Sequence, residues 1–162
     1  MNDSVDPTGT SWCGVSFETD PPAIVVRERV RLADTDSSGL IYYGAVTPWL
    51  SRAHAELVLA LGFRQTSLVP TPMLPVVNVE LTYHDRLALG DAYVLRGWVE
   101  RTGTSSVTMA YEIRRDGTLC VSGRMTHVHL DEATMRPAPL PDALVAAARH
   151  RGGSGATQPA RG

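Results

Sequence analysis

The chain has 162 residues, a length that suits one domain, and 43% of them are hydrophobic, as in ordinary globular proteins. Its formal net charge is -2, and its 15 basic residues are all arginines scattered along the sequence, so composition gives no sign of a nucleic-acid surface. No stretch is apolar enough over the length needed for a membrane span. The first ten residues, MNDSVDPTGT, lack the basic region and apolar core of a signal peptide, so we expect a cytoplasmic protein.

The two ends of the chain differ in composition from its middle. Residues 1–22 are rich in Pro, Gly, Ser, Thr and Asp without sustained periodicity, which predicts a flexible N-terminal arm. The low complexity of residues 151–162 predicts a disordered C-terminal tail, which leaves 23–150 as the folded domain. Because Cys13 lies in the arm and Cys120 in a strand-like run, we expect no structural disulfide.

The first periodic segments are a strand and then a helix. Residues 24–33 alternate between arginines and apolar side chains, which predicts a strand with one solvent-exposed face. From about Ala45 the period changes, and apolar residues recur every three or four positions up to Leu61. This spacing predicts a helix with a broad buried stripe, with Pro48 tolerated in its first turn and Gly62 suited to its end.

Most of the chain after Met73 is strand-like. Four long alternating runs follow, at residues 76–87, 91–101, 105–115 and 118–130. Turn signals join them, the clearest being the hairpin dipeptide Asp116-Gly117. Residues 142–149 are predicted to form a short terminal helix. The order is therefore one strand, one long helix and four antiparallel strands, an α+β arrangement in which the sheet covers a single central helix.

The connection between the first strand and the helix carries a recognisable motif. Residues 30–57, VRLADTDSSGLIYYGAVTPWLSRAHAEL, resemble the opening of hotdog-fold acyl thioesterases of the 4-hydroxybenzoyl-CoA thioesterase type. Their shared pattern is a strand, then D-x-D-x-x-G followed by hydrophobic and aromatic pairs, then the central helix. The resemblance extends over roughly Val26 to Pro141. It implies a five-stranded antiparallel sheet wrapped around one long helix, and hydrolysis of acyl-CoA or acyl-carrier-protein thioesters with no cofactor.

The resemblance also assigns roles to residues at the start of the helix. It places the active carboxylate on Asp36 and the carbonyl-polarising backbone amide on Tyr43, with Gly44 beside it as a substrate-binding residue. Elementary chemistry favours the same placement, because helix N–H groups and the positive end of the helix dipole stabilise a developing oxyanion. Asp36 could attack the carbonyl or take a proton from water. Asp34 is interpreted as a capping or orienting group.

The resemblance places contacts to the carrier arm around the third and fourth strands and just after the last strand. In the resemblance these contacts are Ser105, Ser106 and Arg136. Where relatives often place basic residues before the serine, this chain has Thr-Gly-Thr at 102–104. That departure leaves room for an acyl group carried on a protein-bound phosphopantetheine arm.

Several other side chains are weaker candidates. Glu56 is a backup catalytic carboxylate, since some hotdog clades carry theirs on this helix, but an ion pair with Arg52 one turn earlier, or a cap to a neighbouring loop, is the simpler interpretation. His54 could line the pocket or face solvent. His127 and His129 lie two apart on one strand face, yet no third ligand accompanies them, so no metal site is predicted.

A lone protomer would leave an open sheet edge and an incomplete pocket. We therefore expect a homo-oligomer, a dimer or tetramer, in which Asp36 of one subunit works with carrier contacts of its partner. Two alternative functions stay open: a non-catalytic acyl-binding or scaffold hotdog protein, and a hotdog dehydratase. Asp36 argues against the first, and the absence of a D-x-x-x-x-H motif in the expected place argues against the second. No spacing identifies the acyl chain.

Overall fold

The computed structural model describes residues 13–63 and 72–149, which form one antiparallel sheet and two helices. The strands lie side by side in the order β1-β2-β4-β5-β6-β3. The elements are β1 (Gly14–Thr19), β2 (Pro22–Arg29), α1 (Val46–Ala60), β3 (Val76–Tyr83), β4 (Ala92–Thr102), β5 (Ser106–Arg115), β6 (Thr118–Val128) and α2 (Asp142–Arg149).

Helix α1 lies against one face of this sheet and supplies the centre of the core. Its apolar stripe, Val46, Leu50, Ala53 and Leu57, is at most 1% exposed and packs with the inward side chains of the strands. Gly123 on β6 permits the close approach, because a Cβ atom there would lie 3.2 Å from Cδ1 of Leu50. The predicted central helix wrapped by a sheet is therefore confirmed.

The sheet has six strands where five were predicted. The additional strand, β1, lies within residues 1–22, which were assigned to a flexible arm, and it pairs with β2 from Gly14 opposite Arg27 to Thr19 opposite Pro22. Its side chains are exposed except for Phe17, which packs against the core. An edge strand held by backbone hydrogen bonds needs no alternating pattern, so periodicity could not reveal it. The rest of that arm, residues 1–12, and the predicted tail lie outside the described residues.

Two smaller differences affect the approach to the site. Strand β2 ends at Arg29, earlier than predicted, and residues Leu32–Asp34 form a 3-10 turn with Leu32 75% exposed.

The predicted terminal helix is confirmed as α2, which buries Leu144 and Ala147 in the core. No helix within residues 13–63 and 72–149 has the length and apolar character needed to cross a membrane.

The sheet has two ends that matter for function. At the first, named here the helix-mouth end, Tyr83 lies opposite Val121, and the β5–β6 hairpin closes at Arg115 and Thr118. At the second, the far end, Val76 lies opposite His127 and Ser106 opposite Val128. Ten residues of β5 separate the two ends, roughly 30 Å at 3.4 Å per residue.

Candidate active site

The motif that carries the two acids folds as a tight hairpin. The backbone N–H of Tyr42 donates to the carbonyl of Asp34 at 3.2 Å, and the N–H of Asp36 donates to the carbonyl of Leu40 at 3.0 Å. Gly39 makes the reversal with a φ of 77°, a conformation that L-residues rarely adopt. This hairpin therefore holds Asp36 and the residues that enter α1 in a fixed relation.

Contacts with the loop before β4 and with the helix fix the hairpin to the domain. The N–H of Ile41 donates to the carbonyl of Leu87 at 2.9 Å. The carboxylate of Asp34 accepts the backbone N–H of Arg31 at 2.8 Å and the indole N–H of Trp49 at 3.3 Å. Asp34 thus ties the preceding turn to the first turns of α1, in agreement with an orienting role.

Asp36 is held as an exposed, ionised carboxylate. Its Oδ1 accepts the backbone N–H of Ser38 at 2.8 Å and the hydroxyl of Ser38 at 2.5 Å. These two hydrogen bonds, the hydroxyl first, hold the pKa of the Asp36 carboxyl below its ordinary value, because they stabilise the charged form. Oδ2 accepts no hydrogen bond from the described residues, so one oxygen stays available for chemistry at neutral pH.

The entrance to α1 offers backbone donors without competing caps. The helix begins at Val46, close to the predicted start at about Ala45, so Tyr43 lies in the turn that leads into the helix. The N-cap residue, Ala45, has no capping side chain. Within the described residues, the N–H groups of Tyr43 and Gly44 donate no hydrogen bond, whereas the carbonyl of Tyr43 accepts the hydroxyl of Tyr83 at 2.8 Å. The entrance is therefore anchored through a carbonyl while its donors stay open.

Gly44 has a steric reason to be glycine. A Cβ atom at this position would lie 2.7 Å from Cε2 of Tyr42, inside van der Waals contact. The lack of a Cβ atom at Gly44 therefore lets the Tyr42 ring lie close against the backbone of this turn.

The predicted carrier contacts lie elsewhere in the protomer. Ser106 begins β5 at the far end and Ser105 directly precedes it, with the carbonyl of Ser105 accepting the backbone N–H of His129 at 2.7 Å. Arg136 is exposed in the loop after β6, at the same end. One protomer therefore brings together Asp36, Tyr43 and Gly44 at the helix-mouth end, but it does not bring the carrier residues to them.

Glu56 occupies a different environment from the one expected. It is half-buried on α1, and among the described residues it has no hydrogen-bond or ion-pair partner. Arg52 instead pairs with Glu28 of β2 at 2.9 Å, so the predicted Arg52–Glu56 pair is wrong. Glu28 is only 9% exposed, and an acid that is buried attracts the neighbouring guanidinium more strongly than an acid at the surface does.

A second group of polar side chains lies beneath the helix at the far end. The rings of His54 on α1 and His127 on β6 stack with centroids 4.0 Å apart and planes 10° apart. Burial first, and then the neighbouring His127, lower the pKa of His54 to about 3, and burial also lowers the pKa of His127. Both imidazoles are therefore neutral at physiological pH.

Sequence reasoning proposed His54 as a pocket residue but did not pair it with His127. The two are far apart in the chain, so no spacing links them, although the alternation of β6 does put His127 on the apolar face. Both line a cavity of about 450 Å³. Its walls are Ser51, His54, Ala55, Val58, Pro72, Met73, Leu74, Pro75, Val76, Met125, His127, Leu130 and Met135.

His129 is not part of the pair formed by His54 and His127, and its Nδ1 donates to the carbonyl of Pro139 at 2.7 Å. The described residues contain no group of three side chains suited to hold a metal.

The family assignment follows from the whole of this domain. The family model of the thioesterase-like superfamily matches residues 30–148, from the end of β2 to the end of α2. The chain belongs to the thioesterase-like superfamily. This result confirms the predicted hotdog thioesterase fold and the predicted enzyme class, an acyl thioester hydrolase, whereas the narrower 4-hydroxybenzoyl-CoA type stays a prediction.

Individual relatives share this architecture at low sequence identity. A 1,4-dihydroxy-2-naphthoyl-CoA hydrolase of Synechococcus sp. (strain CC9605) is 26% identical over 133 residues, which cover 78% of this chain and 89% of the relative. YneP of Bacillus subtilis (strain 168), named provisionally as an acyl-CoA thioesterase, is 26% identical over 110 residues, covering 67% and 80%. The solved structure of Slr0204, a 1,4-dihydroxy-2-naphthoyl-CoA thioesterase from Synechocystis, superimposes with a TM-score of 0.69 at 19% identity, covering 78% and 96%. At that identity the superposition shows the fold alone.

Proposed function

We propose that this protein hydrolyses acyl-CoA thioesters at the helix-mouth end, with Asp36 as nucleophile or general base and the Tyr43 amide polarising the carbonyl. The observation that carries the proposal is one hydrogen-bonded hairpin that carries an ionised carboxylate and leads directly into uncapped backbone N–H groups. A thioester carbonyl needs these two partners, an electron-rich group to drive addition and a donor for the oxyanion.

The chemistry can proceed by either of two routes. In the first, Asp36 attacks the carbonyl carbon, the C–S bond breaks to release the thiolate, and water then hydrolyses the mixed anhydride. In the second, Asp36 accepts a proton from water as that water attacks, and the thiolate leaves from the tetrahedral intermediate. The oxyanion forms at the same position in both, where the Tyr43 N–H would donate to it.

The names of the relatives support CoA as the carrier, since two of them are named for CoA thioesters. Acyl-carrier-protein thioesters remain part of the proposal, because residues 102–104 supply no basic side chain to grip a nucleotide. We also propose a cytoplasmic location. Cys13 and Cys120 are not joined by a disulfide, which agrees with a reducing compartment.

Completion of the site calls for a second copy of the chain. In the described part of the chain nothing pairs with the outer edge of β3, and Val76, Val77, Val79 and Tyr83 on this strand are each 39 to 59% exposed. Antiparallel pairing of β3 with its copy would place the far end of one protomer beside the helix-mouth end of the other. Ser105, Ser106 and Arg136 of the partner subunit would then approach Asp36. We propose a dimer on this basis, with a tetramer as a pair of such dimers.

The central test is the substitution Asp36→Asn, measured by thiol release from acyl-CoA substrates. The change removes charge and basicity but keeps size, so turnover should fall by at least about a hundredfold. Binding of an uncleavable substrate analogue should persist, because the Tyr43 amide is untouched. Glu56→Gln is the matched control and should retain turnover within about threefold. Near-native turnover of Asp36→Asn with loss of activity in Glu56→Gln would instead identify the helix carboxylate as the catalyst.

The alternative functions have distinct readouts in the same assay. A panel of aromatic, short-chain, long-chain and β-keto acyl groups, each on CoA and on carrier protein, should show thiol release from at least one member. Binding without thiol release across the panel would support the non-catalytic acyl-binding protein. Enoyl absorbance from a hydroxyacyl thioester without free thiol would support the dehydratase.

A further inference from the structure

The protonation of the two stacked imidazoles is determined by their neighbours. Nδ1 of His127 lies 2.9 Å from the carbonyl of Leu74, which can only accept, so the proton of neutral His127 is on Nδ1. Nδ1 of His54 lies 3.1 Å from Sδ of Met109, again an acceptor, so His54 carries its proton on Nδ1 as well. Nε2 of each ring is consequently unprotonated and carries a lone pair that can accept a hydrogen bond.

These lone pairs have no donor among the described residues. Nε2 of His127 is buried and has no hydrogen-bond partner, and no partner is present for Nε2 of His54. A buried acceptor without a donor costs free energy that a folded protein normally avoids. Both rings line the cavity, so a ligand that enters it is the available source of the missing donor.

The remainder of the cavity is suited to an apolar body. Its wall combines proline, leucine, valine and methionine side chains, and its volume of about 450 Å³ is in the range of small-molecule pockets. Met135 stands on the rim with a φ of 55°, a conformation unfavourable for methionine. His54 follows the first residue of α1 by eight positions, roughly 12 Å along the axis, so the polar atoms lie deep relative to the helix entrance.

We propose that this cavity holds the acyl group of the substrate and that His54 and His127 select acyl groups carrying a hydroxyl. The inference rests on the proposed function and its dimer. Val76 lines the cavity at the end of β3 that would face the helix-mouth end of the partner subunit. An acyl group attached to a thioester at the partner's Asp36 would then extend into the cavity.

The chemistry of the two nitrogens separates hydroxyls from other polar groups. A hydroxyl donates to a neutral imidazole Nε2, whereas a keto oxygen and a carboxylate present only acceptors to it. Because both imidazoles stay neutral, the described wall of the cavity offers no cation to an acidic acyl chain. A substrate that lacks the hydroxyl leaves a buried nitrogen of the protein without a hydrogen bond. This discriminates between substrates more strongly than a difference in their size does.

The experiment compares matched acyl pairs that differ only in one hydroxyl, one pair aromatic and one aliphatic. The wild type should favour the hydroxylated member of at least one pair by about tenfold in kcat/KM. His54→Phe and His127→Phe keep an aromatic ring in place and should each reduce this preference to near unity. Val58→Ile, which changes an apolar wall residue of the same cavity, should alter both members of each pair alike. His54→Phe leaves the His127–Leu74 hydrogen bond intact and so provides the test if His127→Phe does not fold.

A binding measurement separates this inference from the proposed function. Calorimetry with uncleavable CoA thioethers, with and without the hydroxyl, should show the same preference in Asp36→Asn, and His54→Phe should abolish it. Hydrolysis without any hydroxyl preference, or a preference that survives both histidine variants, would overturn the inference and leave the hydrolase standing. A hydroxyl preference in binding that His54→Phe abolishes, with no thioester cleaved by the wild type, would uphold the inference and overturn the hydrolase.

Discussion

Ser38 determines the charge state of Asp36 more than any other residue. It donates both its backbone N–H and its hydroxyl to the same carboxylate oxygen, at 2.8 and 2.5 Å. Asp36 is itself exposed, so burial does little to oppose this effect. The D-x-S turn thus keeps a surface carboxylate ionised into mildly acidic solution, where a general base or nucleophile must be deprotonated to act.

The substitution Ser38→Ala should therefore change the pH profile more than the maximal rate. Removal of the hydroxyl raises the pKa of Asp36 towards its ordinary value, so the acidic limb of kcat/KM should move to higher pH. At pH 8 Asp36 is ionised in both proteins, and activity should change by less than about threefold.

Ser37→Ala is the control, since Ser37 makes no hydrogen bond among the described residues. An unmoved acidic limb in Ser38→Ala, with activity retained, would contradict the assignment of that limb to Asp36.

Among the secondary-structure elements, the sheet accepts a large buried side chain only because its neighbours are small. Tyr111 on β5 is 1% exposed, and it lies opposite Gly97 on β4 and Gly123 on β6. A Cβ atom at Gly97 would lie 2.8 Å from two ring atoms of Tyr111 and 3.2 Å from Cγ2 of Ile24. The Tyr111 hydroxyl reaches Sδ of Met109 at 3.5 Å, the same sulfur that His54 contacts. Strand packing and the histidine pair are therefore connected.

Gly97→Ala should be destabilising although alanine is ordinarily accepted in strands. The added methyl must displace a buried ring, so the free energy of unfolding should fall by about 1–3 kcal/mol in urea titration, as for other overpacked cores. Gly14→Ala on β1 is the control, because a Cβ atom there would meet nothing within 4 Å. Its free energy of unfolding should be unchanged or rise by less than about 1 kcal/mol. Equal stability of the two variants would show that Tyr111 relaxes without cost.

At the scale of the whole molecule, the two edges of the sheet are unlike each other. Strand β1 closes one edge with exposed side chains and an ion pair between Glu18 and Arg96 at 2.5 Å. Strand β3 forms the other edge, and its Val79, opposite the buried Met125, is 39% exposed on the face that carries α1. An exposed apolar edge of this kind favours association, whereas a charged edge discourages it.

The substitution Val79→Arg should therefore separate the subunits. Light scattering should give a dimer or tetramer for the wild type and a monomer for the variant at micromolar concentration, because a buried arginine at the pairing edge has no partner. Thiol release should fall when the oligomer is lost, since in the proposed dimer the far end of the partner would complete the site. Val15→Arg, at an exposed valine on β1, should leave both properties unchanged. A fully active monomer would contradict the shared site, and an intact oligomer would place the interface elsewhere.

The amino-acid sequence by itself determined those features that depend on local periodicity and on the motif. Burial of one face of an element produces a repeating apolar pattern in its sequence. The 3.6-residue period from Val46 to Leu57 therefore predicted the central helix, and the alternation in four later runs predicted the strands. Residues 33–44 indicated a strand-to-helix turn with acids at its mouth, because Gly39 and the acids have local conformational roles. The bounds of α2 followed in the same way.

Tertiary structure alone decided what depends on contacts between distant segments. Strand β1 exists because β2 offers backbone partners, which no side-chain pattern records. Arg52 pairs with Glu28 and not with Glu56, because Glu28, on another element, is buried nearby. His54 and His127 became a pair only when α1 was placed across β6. Ser105, Ser106 and Arg136 lie far from Asp36 in one protomer, because antiparallel strands about 30 Å long separate the two ends of the sheet.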